Sequence, residues 1–245
     1  MTPETAQTEP VTAETEILRD LITPVRYVLW DLDGPICRLF AGHPAHEVAQ
    51  ALRQMIERRG LGGLLEEEEL GTEDPQAVLL GLAGRHPSSD LIADLEEWLT
   101  QQELIASPKA YPTVYADVLI RTWSSGARFA ITTNNSALAA ARYIETRGLT
   151  DCFPYIYGRT QNLDHMKPDP YILRQALNAM GADPRLALMI GDAPTDFQAA
   201  REAGIGFLGY ARNERKLKEL LKAHVDPRHI VNTLAPVLDI VRTRQ

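Results

Sequence analysis

The sequence predicts an α/β fold: a parallel sheet wound by right-handed crossovers, with an all-helical unit inserted after the first strand. Three observations predict it. Apolar runs of strand character recur at 25–30, 128–133, 155–158, 186–190 and 205–210. Segments of helical period separate the later runs, the alternation that covers both faces of a parallel sheet. Residues 37–108 break this alternation, since they carry helical periods and no good strand signal.

Composition sets the outer limits. A chain of 245 residues, 44% of them hydrophobic, can bury a core in one large or two small domains. Its net charge of −8 argues against nonspecific binding to nucleic acid or to anionic membranes, which need a basic surface. No apolar run approaches the roughly 18 residues of a membrane span. Cys37 and Cys152 fit neither a disulfide framework nor a metal-binding spacing. They read as unpaired thiols in a reducing cytosol. The N-terminus lacks the basic, apolar pattern of a signal peptide, so a cytoplasmic location is expected.

Taken in order, residues 1–12 are rich in Thr, Glu and Pro and are expected to be disordered. A short helix is predicted over 13–22, with Ile17, Leu18, Leu21 and Ile22 on one face and Pro24 past its end. Residues 1–24 are thus a tail and a helix. The first strand, 25–30, is rich in β-branched and aromatic residues.

Four helical stretches follow. Residues 45–59 have the period Val48, Leu52, Ile56, stopped by Gly60. Residues 64–70 carry Glu66–Glu69 as a solvated face. Residues 75–85 are helical, and 88–106 place Leu91, Leu95, Trp98 and Leu99 in an apolar stripe. Arg53, Arg58 and Arg59 read as a solvated face. Together 37–108 form a separate helical unit, and 25–36 with 109–245 form the α/β core.

After Pro108 and Pro112 the alternation resumes with a helix over 113–125 and the strand 128–133. Asn134-Asn135-Ser136 offers an N-cap for a helix over 137–147. A short strand over 155–158 and a polar loop lead to a helix over 171–180. The strand 186–190 ends in Gly191-Asp192. A helix over 195–203, a strand over 205–210, a helix over 214–222, a short strand at 230–231 and a helix over 234–241 complete the chain.

The chemistry is expected at the carboxyl ends of the strands. Asp31 and Asp33 follow the first strand at once, and Gly34-Pro35 break it. Side chains at i and i+2 leave a strand on the same side, so both carboxylates can face one site. Two carboxylates that close repel unless a cation or proton lies between them. Thr133-Asn134 end the second strand, where a hydroxyl and the amides opening the next helix can hold an anion. Lys167 sits in a loop stiffened by Pro168 and Pro170, a fixed positive charge for that anion. Asp192 ends a strand and Asp196 follows four residues on. Oxygen-only ligands of this kind suit Mg²⁺. Singly, each group has an ordinary alternative: a helix cap, a solvated lysine, a partner for a helix dipole. In this order they describe a carboxylate nucleophile, a neighbouring acid, an anion cradle, a cationic clamp and a metal ligand.

With those residues in place, the sequence resembles the haloacid dehalogenase superfamily of phosphatases. The resemblance covers about residues 25–243. It rests on Asp31-Leu32-Asp33-Gly34, Thr133 after an apolar strand, Lys167 before Pro168-Asp169-Pro170, and Gly191-Asp192 with Asp196. It implies a Rossmann-like doubly wound core. It also implies that the helical unit is a cap in the style of phosphoglycolate phosphatase and β-phosphoglucomutase. By resemblance, Asp31 is the nucleophile and Asp33 the general acid and base. Thr133, Asn134 and Lys167 bind phosphate. Asp31, the Asp33 backbone carbonyl and Asp192 hold Mg²⁺, with Asp196 in support. The sequence departs at Pro35-Ile36-Cys37-Arg38, where relatives often read Thr-Leu and then Asp-Ser.

The implied function is Mg²⁺-dependent hydrolysis of a small phosphorylated metabolite, a sugar phosphate or a phosphoglycolate-like ester, through an aspartyl-phosphate. A phosphosugar mutase of the same fold and a non-catalytic phosphoacceptor or binding module remain open alternatives. Arg38, His43 and His46 stand at the entry to the helical unit and read first as surface loop residues, with contact to a leaving group as the alternative. Oligomeric state is not legible.

Overall fold

The computed structural model describes residues 13–87 and 89–243. The disorder expected over 1–12 lies outside the described residues. In chain order the elements are α1 (Ala13–Ile22), β1 (Tyr27–Trp30), β2 (Cys37–Arg38), α2 (Ala45–Arg58), α3 (Glu67–Gly71), α4 (Pro75–Arg85) and α5 (Asp90–Ala106). Then come β3 (Tyr111–Pro112), α6 (Ala116–Trp123), β4 (Arg128–Ser136), α7 (Ala137–Thr146), β5 (Tyr155–Arg159) and α8 (Tyr171–Met180). The chain closes with β6 (Ala187–Gly191), α9 (Pro194–Ala203), β7 (Gly206–Tyr210), α10 (Glu214–Lys222), β8 (Ile230–Val231) and α11 (Ala235–Arg242).

The main sheet has the order β5-β4-β1-β6-β7-β8, with every pairing parallel. From β1 the chain winds outward one way through β4 and β5, then returns to the far side of β1 for β6, β7 and β8. The winding therefore reverses at β1. Open sheets of this kind leave a crevice at the carboxyl ends of the strands flanking that reversal. Asp31, Asn134 and Asp192 follow β1, the body of β4 and β6, the three central strands.

Both faces of the sheet are covered, as the strand alternation requires. Val28 and Trp30 face one apolar cluster with Leu188, Ile190, Trp123 and Leu238. Leu29 and Met189 face the opposite cluster with Ile172, Ala199 and Leu220. Trp30, Trp123 and Phe129 meet edge to face with ring centroids 5.9–6.5 Å apart, the favoured geometry for aromatic quadrupoles.

Helices α2 to α5 gather round their own apolar cluster, which includes Val48, Leu52, Leu79, Leu82, Leu95 and Leu99. Residues 37–108 contain one element that the sequence did not announce. Cys37–Arg38 pair antiparallel with Tyr111–Pro112, so a two-strand ribbon joins the helical unit to the sheet on both sides. A ladder of two residues, one of them proline, carries no readable period.

Glu69 was expected on a solvated face and is instead 3% exposed. Its carboxylate accepts from Arg85 at 2.8 Å and 3.0 Å and from the Glu66 amide, capping α3. Arg53 likewise is not free in solvent: it donates to the carbonyls of Glu69 and Thr72. Among the described residues, no helix is long and apolar enough to cross a membrane.

Candidate functional site

The site is built on strand ends. The Asp31 amide donates to the Ile190 carbonyl at 2.9 Å, which continues the β1–β6 ladder and fixes the Asp31 backbone beside β6. The Asp31 carboxylate accepts from Lys167 Nζ at 2.9 Å. That ammonium donates also to the Thr132 carbonyl at 2.8 Å and to Asp196 Oδ1. Lys167 is buried, and burial by itself disfavours its charge. The Asp196 and Asp31 carboxylates outweigh burial and hold its pKa above the ordinary lysine value.

Asn134 fixes the Lys167 loop from the end of β4. Its Oδ1 accepts from the Lys167 amide at 2.8 Å, and its Nδ2 donates to the Lys167 carbonyl at 2.9 Å. Asp196 orients the strand end of β6. Its Oδ2 accepts from the amides of Asp192 and Ala193 at 3.1 Å and 3.0 Å, which caps α9.

Asp31, Asp192 and Asp196 each present one carboxylate oxygen within 4.8 Å of the others, and all three are buried. Burial pushes Asp31 up to about 7, even against the nearby Lys167 charge, and Asp192 up to about 6. Mutual repulsion within the trio adds to both shifts. Two lysines face three carboxylates, so a negative charge stays uncompensated when all three ionise. The donor set is hard oxygen without His or Cys, which fits Mg²⁺. The Asp33 carboxylate stands apart from this trio. It accepts from the Leu39 amide at 2.8 Å, and burial raises its pKa.

The structure brings together Asp31, Asp33, Asn134, Lys167, Asp192 and Asp196 around one cavity of about 860 Å³. Thr133 does not line it. The Thr133 hydroxyl is fully buried, donating to Asn135 Oδ1 and accepting from the Asn135 amide at 3.2 Å each. Asn134 and Asn135 line the cavity in its place. His43 also stands aside, bonded to Gln102 at 3.0 Å. Arg38 and His46 line a second cavity of about 740 Å³, which Asp33 shares with the first.

Three features escaped the sequence. Lys216 Nζ donates to Asp192 Oδ1 at 3.0 Å, reaching in from α10. Arg212 lines both cavities from the loop after β7. Arg159, at the end of β5, is buried in a network with the helical unit. It donates to both oxygens of Glu103 at 2.8 Å and 2.9 Å, to Glu96 at 3.0 Å and to Thr100 at 3.2 Å, all on α5. Glu103 also accepts from Asn135 Nδ2 at 3.0 Å and from the Ser136 amide at 2.7 Å. A carboxylate from α5 thereby holds the β4–α7 turn of the sheet domain.

Comparison with known proteins agrees with this geometry. The haloacid dehalogenase-like hydrolase family matches residues 25–204. A phosphoglycolate phosphatase of Neisseria gonorrhoeae is 30% identical over 75% of this chain and 78% of its own length. A haloacid dehalogenase-like hydrolase of Streptococcus pneumoniae superposes with a TM-score of 0.63 at 20% identity, covering 91% of this chain and all of that one. CbbY of Rhodobacter sphaeroides, solved with phosphate, gives 0.58 at 20% identity over 76% of this chain and 86% of its own. The parallel sheet with its flanking helices is the fold of these structures. Together with the strand-end carboxylates, the family match establishes that the chain belongs to the haloacid dehalogenase-like hydrolases.

Proposed function

We propose that this chain is a Mg²⁺-dependent phosphatase that hydrolyses a small phosphate monoester, a sugar phosphate or a phosphoglycolate-like metabolite, through an aspartyl-phosphate on Asp31. The observation that carries it is the meeting of Asp31 with a buried lysine and two further buried carboxylates at the reversal point of the sheet. Relatives named phosphoglycolate phosphatase support the substrate class. The two free thiols suit a reducing cytoplasm.

Asp31 is held in one direction by Lys167, so one oxygen is free to attack phosphorus. The bond from phosphorus to the leaving oxygen breaks, and Asp33 gives that oxygen its proton. Asp33 then takes a proton from water, whose oxygen attacks the phosphoryl group and returns Asp31 as a carboxylate. Lys167 offsets the repulsion between a phosphate dianion and the attacking carboxylate. Asp31, Asp192 and the Asp33 backbone carbonyl would hold Mg²⁺, with Asp196 in support. Bound there, the ion neutralises charge on the phosphoryl oxygens. The helical unit supplies Ala45, Thr72, Pro75 and Leu80 to the cavity wall, and we read it as a cap that excludes water and selects the leaving group.

Phosphate release from a panel of phosphorylated metabolites tests the reading. EDTA should abolish release and Mg²⁺ should restore it; undiminished turnover after exhaustive chelation would contradict the metal assignment. A second test uses Gly34. Its φ is +120°, and a Cβ there would lie 2.6 Å from Asp192 Cγ. Gly34→Ala therefore has to displace the Asp192 carboxylate. Calorimetric Mg²⁺ affinity should fall by about 10–100-fold, the usual effect of misplacing a ligand through its surroundings. Unchanged affinity would remove Asp192 from the ligand set.

A further inference from the structure

Two lysines meet the trio of Asp31, Asp192 and Asp196, and they are held differently. Lys167 Nζ has three acceptors, Asp31, Asp196 and the Thr132 carbonyl, and its side chain is 2% exposed. It cannot turn away without stranding two buried carboxylates. Lys216 reaches in from the first turn of α10. Its Nζ donates to Asp192 Oδ1 at 3.0 Å, and among the described residues that is its sole hydrogen bond. Its side chain is 14% exposed and stands on the cavity wall beside Arg212 and Arg215. A lysine stem is flexible, so this ammonium can turn from Asp192 to the water of the cavity with one bond to exchange.

The contact is particular to Lys216. Its neighbours Arg215 and Lys218 pair along the helix with Glu219 and Glu214. The Lys216 amide is capped by Asn213 at 3.0 Å, which anchors the turn from which the stem leaves. Asp192 is enclosed between this lysine and Gly34: Oδ1 accepts from Lys216, and a Cβ on Gly34 would come within 2.6 Å of Oδ2. A divalent cation gathered by the trio must share the Asp192 carboxylate with an ammonium. Like charges that close repel where little water screens them. A hydrogen-bond donor can help a metal by orienting its ligand. Asp192, however, is already placed by Gly34 and by the bond from its amide to Asp196, so the charge of Lys216 outweighs its orienting effect.

We propose that Lys216 and Mg²⁺ are rival cations for Asp192: the ion binds by turning Lys216 out, and the lysine returns when the ion leaves. The proposal rests on the metal assignment above and concerns how tightly the ion is held. Lys216 is then a positioning residue. It balances the trio when no ion is bound, and it keeps Mg²⁺ exchangeable.

Calorimetric titration of Mg²⁺ into the chelator-treated full-length protein tests it. Lys216→Met keeps an unbranched stem and removes the charge. It should bind Mg²⁺ about tenfold or more tightly than the wild type, the worth of a charged hydrogen bond that the ion no longer displaces. Lys216→Arg restores a cation and should return the affinity to near the wild-type value. Melting separates rivalry from a merely structural contact. In EDTA, Lys216→Met should melt below the wild type, and saturating Mg²⁺ should close the gap. A structural contact would leave the same gap in both. The wild type alone gives a third reading, which decides if Lys216→Met does not fold. Acetylation by an amine-reactive ester, mapped by mass spectrometry, should rise at Lys216 on adding Mg²⁺ while Lys167 stays protected. Affinity that falls or stays unchanged in Lys216→Met, or labelling of Lys216 indifferent to Mg²⁺, overturns the proposal. If the wild type binds no Mg²⁺, the metal assignment falls and this inference falls with it. Binding that ignores Lys216 sinks the inference alone.

Discussion

The Asp31→Asn variant is expected to fold and all but cease to release phosphate, its turnover falling by about 10⁴-fold or more, as when a covalent nucleophile is removed. Folding survives for electrostatic reasons. Asp31 shares a buried space with Asp192 and Asp196, and burial holds its pKa up to about 7. Exchanging it for an amide takes a charge out of a crowded set of like charges. Lys167 keeps Asp196 and the Thr132 carbonyl as partners, and the amide oxygen can still accept from it. The melting temperature should therefore stay within a few degrees of the wild type while phosphate release disappears. An activated aryl phosphate is the most demanding substrate for this test, because its leaving group needs little protonation. If the variant turns over that ester as fast as the wild type, Asp31 is not the nucleophile.

The residues that this prediction uses were legible because they sit where chain direction and alternation must put them. Asp31 follows β1 at once and Asp192 follows β6 at once, so finding the strands found the carboxylates. Lys167 was found by its prolines and by its place in a loop between a strand and a helix. The groups that escaped are held by tertiary contacts alone. Lys216 lies on an amphipathic helix, ERKLKELLK, whose charged face looks solvated from sequence. Nothing local says that one of its lysines turns inward to Asp192. The two-residue ribbon β2–β3 is too short to show a period.

Thr133 was misplaced for a different reason. Strand β4 runs on to Ser136 with a register shift after Thr132, so the chain turns later than the apolar run suggests. The shift turns the Thr133 hydroxyl toward Asn135 and leaves Asn134 and Asn135 on the cavity wall. The network on α5 did leave a trace. Its buried face is Ile92, Leu95, Glu96, Leu99, Thr100, Glu103 and Ala106, with three polar groups at helical spacing among apolar ones. The expected stripe through Leu91, Leu95, Trp98 and Leu99 is rotated from that face, which hid the three.

That trace leads to the larger stability effect. Glu103→Ala removes a carboxylate that is wholly buried, as is its Arg159 partner. It strips Arg159 of two hydrogen bonds and leaves Asn135 Nδ2 and the Ser136 amide without their acceptor. Breaking a buried pair by deleting one partner costs about 3–5 kcal/mol, most of it from the charge left behind. For a chain of this size that corresponds to a drop in melting temperature of roughly 6–20 °C, at about 2–4 °C per kcal/mol. Glu103→Gln keeps one of the two accepting oxygens, and with it two of the four hydrogen bonds, and fills the same volume, so its loss should be smaller. Arg185→Ala, which breaks the exposed pair with Asp183 and leaves the Asp183 cap in place, should leave the melting temperature unchanged.

The consequence should reach the site through the β4–α7 turn. Glu103 holds Asn135 and Ser136, and Arg159 donates to the Asn134 carbonyl at 3.1 Å. Loosening these bonds frees the turn that carries Asn134, and Asn134 holds both the amide and the carbonyl of Lys167. At temperatures where Glu103→Gln is still fully folded, kcat should fall more than KM rises, because the lysine that balances charge during transfer is less well placed. A Glu103→Gln protein that melts lower but keeps wild-type kcat would confine the network to stability and disconnect it from Lys167.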